Sequence, residues 1–404
     1  MNPVAGQELR LGPTSASERI LALDVLRGFA LFGVFLTNAF VSARPFAAAL
    51  QPPREGTETD LAAWAIFDGL LVMKFVTLFS VLFGMGLVLQ MQRAQERGLP
   101  FRGAYLRRLA ILAGMGLLHG CLLFEGDILL PYAFVGALLF VLRHRSARTL
   151  ARLALIPFAI GLLLMIVWEM SGLDLAGGGG GGGEFDSLVE RARRTGPFTL
   201  LLKVRPLEYL GWLVISSLIS FNWRVVGLFF LGAALMKQGL LGREHARLHR
   251  QSLVAGLGIG GALEILAVVL TLADPPAGSL RGLLGVLAAE IGSLLLSAGY
   301  AALVIQAVHS GISTRLQHGL AALGRTALTN YLFQSVAMNL MFFTIGLGLY
   351  DELSRMEVLA WTTVIFAVQI LASVLWLRAF TMGPIEWVWR SLTYGRAVTL
   401  RKRD

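Results

Sequence analysis

Apolar runs of around twenty residues recur along this chain, and short polar segments rich in arginine close them. A helix needs such a run to cross the ~30 Å hydrocarbon core of a bilayer. Ten spans are predicted, over 20–42, 70–92, 105–124, 128–143, 151–169, 222–238, 251–273, 284–309, 325–347 and 357–379. The fourth and sixth are the shortest. The short alternating segments of a membrane barrel do not occur. The pattern therefore predicts an all-α, polytopic transmembrane helix bundle.

The connecting segments orient it. Arg93, Arg97, Arg102, Arg107 and Arg108 fall in one, and Arg143, Arg145, Arg148 and Arg152 in another. Lys237, Arg243, Arg247 and Arg250 fill a third, and the chain ends "RAVTLRKRD". The alternate connections are acidic or mixed, with Glu125 and Asp127, Asp274, and Asp351 with Glu352. The positive-inside rule then places both termini in the cytoplasm, in agreement with an even number of spans.

One connection, 174–206, is long and non-cytoplasmic; it separates an N-terminal half of five helices (1–173) from a C-terminal half (207–404). Its "DLAGGGGGGGEF" is expected to be a flexible linker. The helix expected in "EFDSLVERARRT" is a candidate lid over an outward-facing site, and "PLEYLGWLVISSLIS" is expected at the outer interface. Near the C-terminus, "GPIEWVWRSLTYG" sets Trp387, Trp389, Arg390 and Tyr394 beside a cytoplasmic boundary, as an interfacial anchor does.

Composition agrees with a membrane class. Of 404 residues 56% are hydrophobic and 15% charged, where soluble domains carry about 25% charge. The net charge of +10 sits in the cytoplasmic connections and implies no nucleic-acid partner. The single cysteine, Cys121, excludes an internal disulfide and a multi-cysteine metal site. The first apolar run is too long for a cleaved signal peptide, and Asp24 and Arg27 interrupt it; it is read as a retained helix.

The candidate chemistry lies in polar residues inside the spans, where each needs a partner or a water-filled cavity. Asp24, Arg27 and Asn38 share one face of the first span, Asp24 and Arg27 close enough to pair, Arg27 and Asn38 about 16 Å apart. His119 is the one histidine well inside a span, and histidine accepts and returns a proton near neutral pH. Asp127 and Glu125 follow in a tight turn and can orient it. Thr326, Asn330 and Gln334 line one face of the ninth span, with Arg325 at its cytoplasmic end placed to meet a phosphate. Hydrogen-bonded contact between helices explains these stripes as well.

Lys74 is expected to snorkel outward, and Gly84 and Gly86 to permit close helix approach. Glu264 and Glu290 fall inside spans with no partner fixed by the sequence. The motifs G-x-x-x-x-G-K-[ST], H-E-x-x-H and G-x-S-x-G are absent.

The blocks "LDVLRGFALFGVFLTN", "KFVTLFSVLFGMG", "LLHGCLLFEGDILLPYA", "GRTALTNYLFQS" and "GPIEWVWRSLTYG" together resemble the YeiB-type family of bacterial inner-membrane proteins, whose activity is not settled. More distantly, the first helix is similar to that of the transmembrane acyltransferase superfamily, which includes the heparan-α-glucosaminide N-acetyltransferase. That resemblance implies about ten helices carrying an acyl group from cytoplasmic acyl-CoA to an acceptor on the far side. Many bacterial members place a catalytic histidine eleven residues after an arginine; counting from Arg27 gives Asn38, as in the heparan-type branch.

The expectation is thus an acyltransferase of the bacterial cytoplasmic membrane, with acyl-CoA or acetyl-CoA as donor and no metal. His119 acts as base, Asn38 as oxyanion donor and Asp127 as orienting group, while Asp24, Arg27, Arg325, Asn330 and Gln334 bind substrate. The partners are the lipid bilayer and a sugar, small-molecule or lipid-linked acceptor, and a homo-oligomer is compatible with the sequence. Two alternatives stand beside it: a transporter or channel using Glu264 or Glu290, and a non-catalytic scaffold.

Overall fold

The computed structural model describes residues 20–53, 57–98, 100–172 and 184–402. The glycine tract lies outside them. Within them the chain forms helices and, apart from an isolated bridge between Phe380 and Arg401, no strand pairing.

In the N-terminal half the helices are α1 (Leu21–Ser42), α2 (Phe46–Leu50), α3 (Glu58–Ile66), α4 (Lys74–Glu96), α5 (Arg102–Leu122), α6 (Leu129–Val141) and α7 (Ala147–Ser171). Then come α8 (Glu184–Arg194), α9 (Phe198–Leu218), α10 (Ser220–Lys237), α11 (Ala246–Ala255), α12 (Gly261–Leu272) and α13 (Leu280–Ser310). The last four are α14 (Thr314–Arg325), α15 (Ala327–Phe342), α16 (Arg355–Ala379) and α17 (Pro384–Tyr394).

Every predicted span falls on a helix. Among the described residues, six helical stretches are long and apolar enough to cross a membrane unaided, and α9 with α10, bent by 69°, makes a seventh if that pair is one span. The sequence marks where helices begin. Ser146 accepts from the Thr149 amide at α7, and Ser354 forms a reciprocal capping box with Glu357 at α16. These bonds satisfy amides that the first turn leaves without partners.

Helix α1 runs through the middle of the bundle, packed on α4, α13, α14, α15 and α16. Small residues set its closest crossing: a Cβ at Gly28 would stand 2.1 Å from the Leu320 carbonyl oxygen, and one at Gly324 2.0 Å from that of Asp24. Gly84 likewise seats α4 on α10, whereas Gly86 faces the Arg27 guanidinium instead. The outer helices α7, α12 and α16 expose large apolar side chains such as Leu155, Ile265 and Val368. A lipid surround accounts for that exposure, since water does not.

One expectation is corrected here. Lys74 does not reach outward; it is buried, 2.8 Å from Glu264 and 2.7 Å from the Asp68 carbonyl. An ammonium desolvated in this way is retained only by a paired carboxylate, which also supplies the partner for Glu264. Glu290 pairs with Arg224 at 2.7 Å, and Arg224 also donates to Thr77 and Ser293.

A candidate active site at the end of a basic cavity

The site begins with a close approach of α5 and α6. A Cβ at Gly116 would stand 2.3 Å from the Leu130 amide nitrogen, and one at Gly120 2.3 Å from the Tyr209 ring. Glycine at 116 lets the start of α6 and Asp127 fold back against α5, and glycine at 120 admits the Tyr209 ring of α9. His119, in the last turn of α5, thereby meets Asp127 from the 123–128 turn.

Asp127 is fully buried and accepts three hydrogen bonds. The His119 Nδ1 lies 2.8 Å from one carboxylate oxygen; the Leu130 amide, 3.0 Å, and the Tyr209 hydroxyl, 3.2 Å, share the other. The amide belongs to the first turn of α6, where a negative charge is favoured. An ionised carboxylate only accepts, so the tautomer is assigned from this network: Nδ1 carries the proton and Nε2 offers its lone pair. That nitrogen is 2.8 Å from the Ser335 hydroxyl on α15. Serine, histidine and aspartate therefore stand in one buried line, each side chain under 3% exposed.

Beside this line a cavity of about 260 Å³ enters the bundle from its arginine-rich end. Arg27, Arg93, Arg108, Arg325 and Arg390 line it, against the carboxylates Asp24 and Glu386. From Ile20 to Val34 it follows α1 for about 21 Å. Its inner wall includes Ile128, Leu129 and Tyr331, and the Tyr331 ring packs 4.9 Å from the imidazole of His119. Tyr331 thus separates the cavity from the buried line.

The C-terminal α17 builds the mouth. Trp389 donates to the Arg108 carbonyl, and the Arg108 guanidinium lies 3.6 Å over its ring. Glu386 accepts from the Leu328 and Thr329 amides at 2.6 and 3.1 Å, capping α15 from another helix. Burial pushes its carboxyl above the ordinary range, outweighing the hydrogen bonds that favour the anion. Of the cluster read from sequence as an interfacial anchor, Trp389, Arg390 and Tyr394 line the cavity, while Trp387 donates to the Val398 carbonyl at 2.7 Å.

At the opposite end α8 is clamped over the turn that carries Asp127. Arg193 reaches Glu125 at 2.6 Å and Glu208 at 2.7 Å, and Arg205 donates to the Leu122 carbonyl at 2.7 Å. Arg194 pairs with Glu190 and Asp351. Burial alone would raise the Glu125 carboxyl, but Arg193 and Arg205 beside it hold it below the ordinary 4.5.

Of the residues singled out from the sequence, His119 and Asp127 meet directly. Asp24 and Arg27 form a 3.1 Å pair, and both line the cavity with Arg325. Asn38 is half-buried; among the described residues it neither lines the cavity nor bonds to His119 or Asp127. Asn330 and Gln334 turn toward α16, bonding Ser373 at 3.0 Å and Gln369 at 3.0 Å, so their stripe is a seam between helices. Ser335 escaped the sequence reading. Its signal was a second four-residue repeat, Tyr331, Ser335 and Asn339, on the neighbouring face of the same helix.

Fold and site together define a polytopic, all-α membrane protein whose bundle encloses a basic-mouthed cavity next to a buried Ser–His–Asp line. A family described as "Protein of unknown function (DUF418)" matches residues 235–396, from the end of α10 to just past α17. The chain is 32% identical over 405 residues to the uncharacterized protein YxaH of Bacillus subtilis, covering 95% of this chain and 96% of that one. It is 30% identical over 395 residues to the uncharacterized protein YeiB of Escherichia coli, covering 93% and 96%. An uncharacterized 39.9 kDa protein from the amylase 3' region of Bacillus acidopullulyticus is 26% identical over 406 residues, covering 96% and 97%. The chain belongs to this YeiB-like family.

Proposed function

We propose that this protein transfers an acyl group from an acyl-CoA, taken up from the cytoplasm, to a hydroxyl or amine acceptor on the far side of the bacterial inner membrane. The observation that carries the reading is the cavity: five arginines line it together with Tyr331, whose ring packs on the buried His119, and it follows α1 for about 21 Å. Phosphates of a nucleotide-linked carrier fit the arginines, which offer rigid forked donors. A pantetheine-like arm fits the apolar passage along Leu31, Leu82 and Leu112.

His119 serves as general base through Nε2, and Asp127 fixes its tautomer and stabilises the imidazolium that forms on proton uptake. Water is kept from the site by Tyr331 on one side and the α8 clamp on the other, which strengthens each of these interactions. The acceptor is an extracytoplasmic sugar, amine or lipid-linked hydroxyl that enters where α8 releases the 123–128 turn.

The test is transfer in proteoliposomes that enclose a panel of sugar and amine acceptors, with radiolabelled acetyl-CoA supplied outside. Label on an enclosed acceptor, lost with His119→Gln, is the expected result. Wild-type protein that fails to bind acyl-CoA at all rejects the reading.

One observation favours a second reading, a proton-coupled carrier: a buried Lys74–Glu264 pair and a part-buried Arg224–Glu290 pair lie inside the bundle. Solute flux that depends on Glu290, without any response to acyl-CoA, would favour that reading instead.

A further inference from the structure

The transfer reading leaves a geometric problem. On that reading donor and acceptor come from opposite ends, with Tyr331 packed between the cavity and His119 on one side and α8 bonded over the turn that carries Asp127 on the other. A group between them that holds the acyl after the carrier has gone would let the two sides be served in turn. The buried line supplies such a group, since the Ser335 hydroxyl is 2.8 Å from the one imidazole nitrogen whose lone pair is available. A serine packed among apolar helices usually bonds back to its own helix. Here the helix carbonyl of Tyr331 is 3.5 Å away, so the imidazole is the nearer partner.

We propose that Ser335 is a nucleophile and carries the acyl group as a covalent ester between two half-reactions. This rests on the transfer reading for its donor, though not for the reactivity of the serine. Rotation of the Tyr331 side chain joins the cavity to the hydroxyl, one helical turn further along the same face of α15.

In the first half, the Ser335 Oγ attacks the thioester carbonyl carbon while its proton passes to His119 Nε2. The carbon–sulfur bond breaks, and sulfur leaves with the electron pair, taking that proton as the free thiol. In the second half, an acceptor hydroxyl or amine gives its proton to Nε2 and attacks the ester carbonyl. The bond to Oγ breaks, and Oγ recovers the proton. Atoms and charge balance with no further reactant.

The experiment labels detergent-purified full-length protein with an alkyl fluorophosphonate, which reports an activated serine without acyl-CoA. Peptide mass spectrometry is expected to find the adduct on Ser335. Labelling should fall at least ~10³-fold in His119→Gln, in keeping with loss of the base, and should accelerate in Tyr331→Ala, where the partition is gone. A second arm incubates Ser335→Cys with acetyl-CoA; an acyl group at position 335 that neutral hydroxylamine removes supports the relay. Size-exclusion profiles establish that each variant is folded. Absence of any adduct at Ser335 in folded wild type and in Tyr331→Ala overturns the proposal, and acetyl transfer that survives in Ser335→Ala overturns it independently while leaving direct transfer intact. An adduct at Ser335 in protein that does not bind acyl-CoA upholds the nucleophile and rejects the donor.

Discussion

Replacing Asp127 with asparagine changes one atom and, on this geometry, reverses the role of a residue it touches. One carboxylate oxygen takes two donors, the Leu130 amide and the Tyr209 hydroxyl, and the other takes only His119 Nδ1. An amide oriented to keep the two donors presents its NH₂ to the imidazole. His119 must then hold its proton on Nε2, and Ser335 faces a donor instead of a base. Stability should fall modestly, because one charge-assisted acceptor becomes a neutral one and each such exchange is worth about 1–2 kcal/mol. Turnover should fall much further, by about 10³–10⁴, equivalent to ~4–5.5 kcal/mol of barrier. The arginines at the mouth are untouched, so the KM for acyl-CoA stays within a few-fold. Initial-rate kinetics beside ¹⁵N-imidazole spectra would read both effects. A variant with the switched tautomer and transfer within ten-fold of wild type would refute His119 as the base.

Other outcomes follow from single contacts. Gly116→Ala forces a Cβ to within 2.3 Å of the Leu130 amide nitrogen, and thermal melting in detergent should show a loss of about 1–3 kcal/mol or more. Lys74→Met strands a buried Glu264 and should destabilise by about 3–5 kcal/mol, whereas Lys74→Met with Glu264→Met should recover most of it in the same assay. For the α8 clamp the sign comes from Glu125: its carboxyl is held below the ordinary 4.5, so the clamp is stabilised above that pH and weakens as pH falls through the lower folded value. Limited proteolysis within 184–194 should therefore accelerate on acidification below about pH 4.5, while Glu208, whose carboxyl burial pushes up to about 7, adds a penalty that grows as the pH rises from about 4.5 toward 7.

Much of the architecture was legible because a bilayer imposes a strong code. Apolar length located every span as a helix, and the small-residue logic at Gly84 described a real helix crossing. The pairing of Asp24 with Arg27, and of Asp127 with His119, followed from three-residue spacing and from a short turn. What the sequence could not give was which neighbour each helix face meets. Asn330 and Gln334 look like a site stripe until α16 supplies Ser373 and Gln369, more than thirty residues away along the chain. Lys74 reads as a snorkelling side chain until α12 brings Glu264 from a different part of the bundle. Ser335 went unnoticed for a related reason. Its four-residue repeat with Tyr331 and Asn339 marks a polar face of the helix, and only the meeting of α5 with α15 brings His119 to its hydroxyl.

The most direct test of the central claim is binding of a non-transferable thioether analogue of acyl-CoA to nanodisc-embedded protein, followed by calorimetry. The cavity account predicts one site per chain, weakened roughly ten-fold or more by Arg27→Ala, as expected for one charge-assisted contact of 1.5–3 kcal/mol, and unaffected by His119→Gln. Folded wild-type protein that shows no binding, or binding indifferent to the arginines that line the mouth, would contradict it.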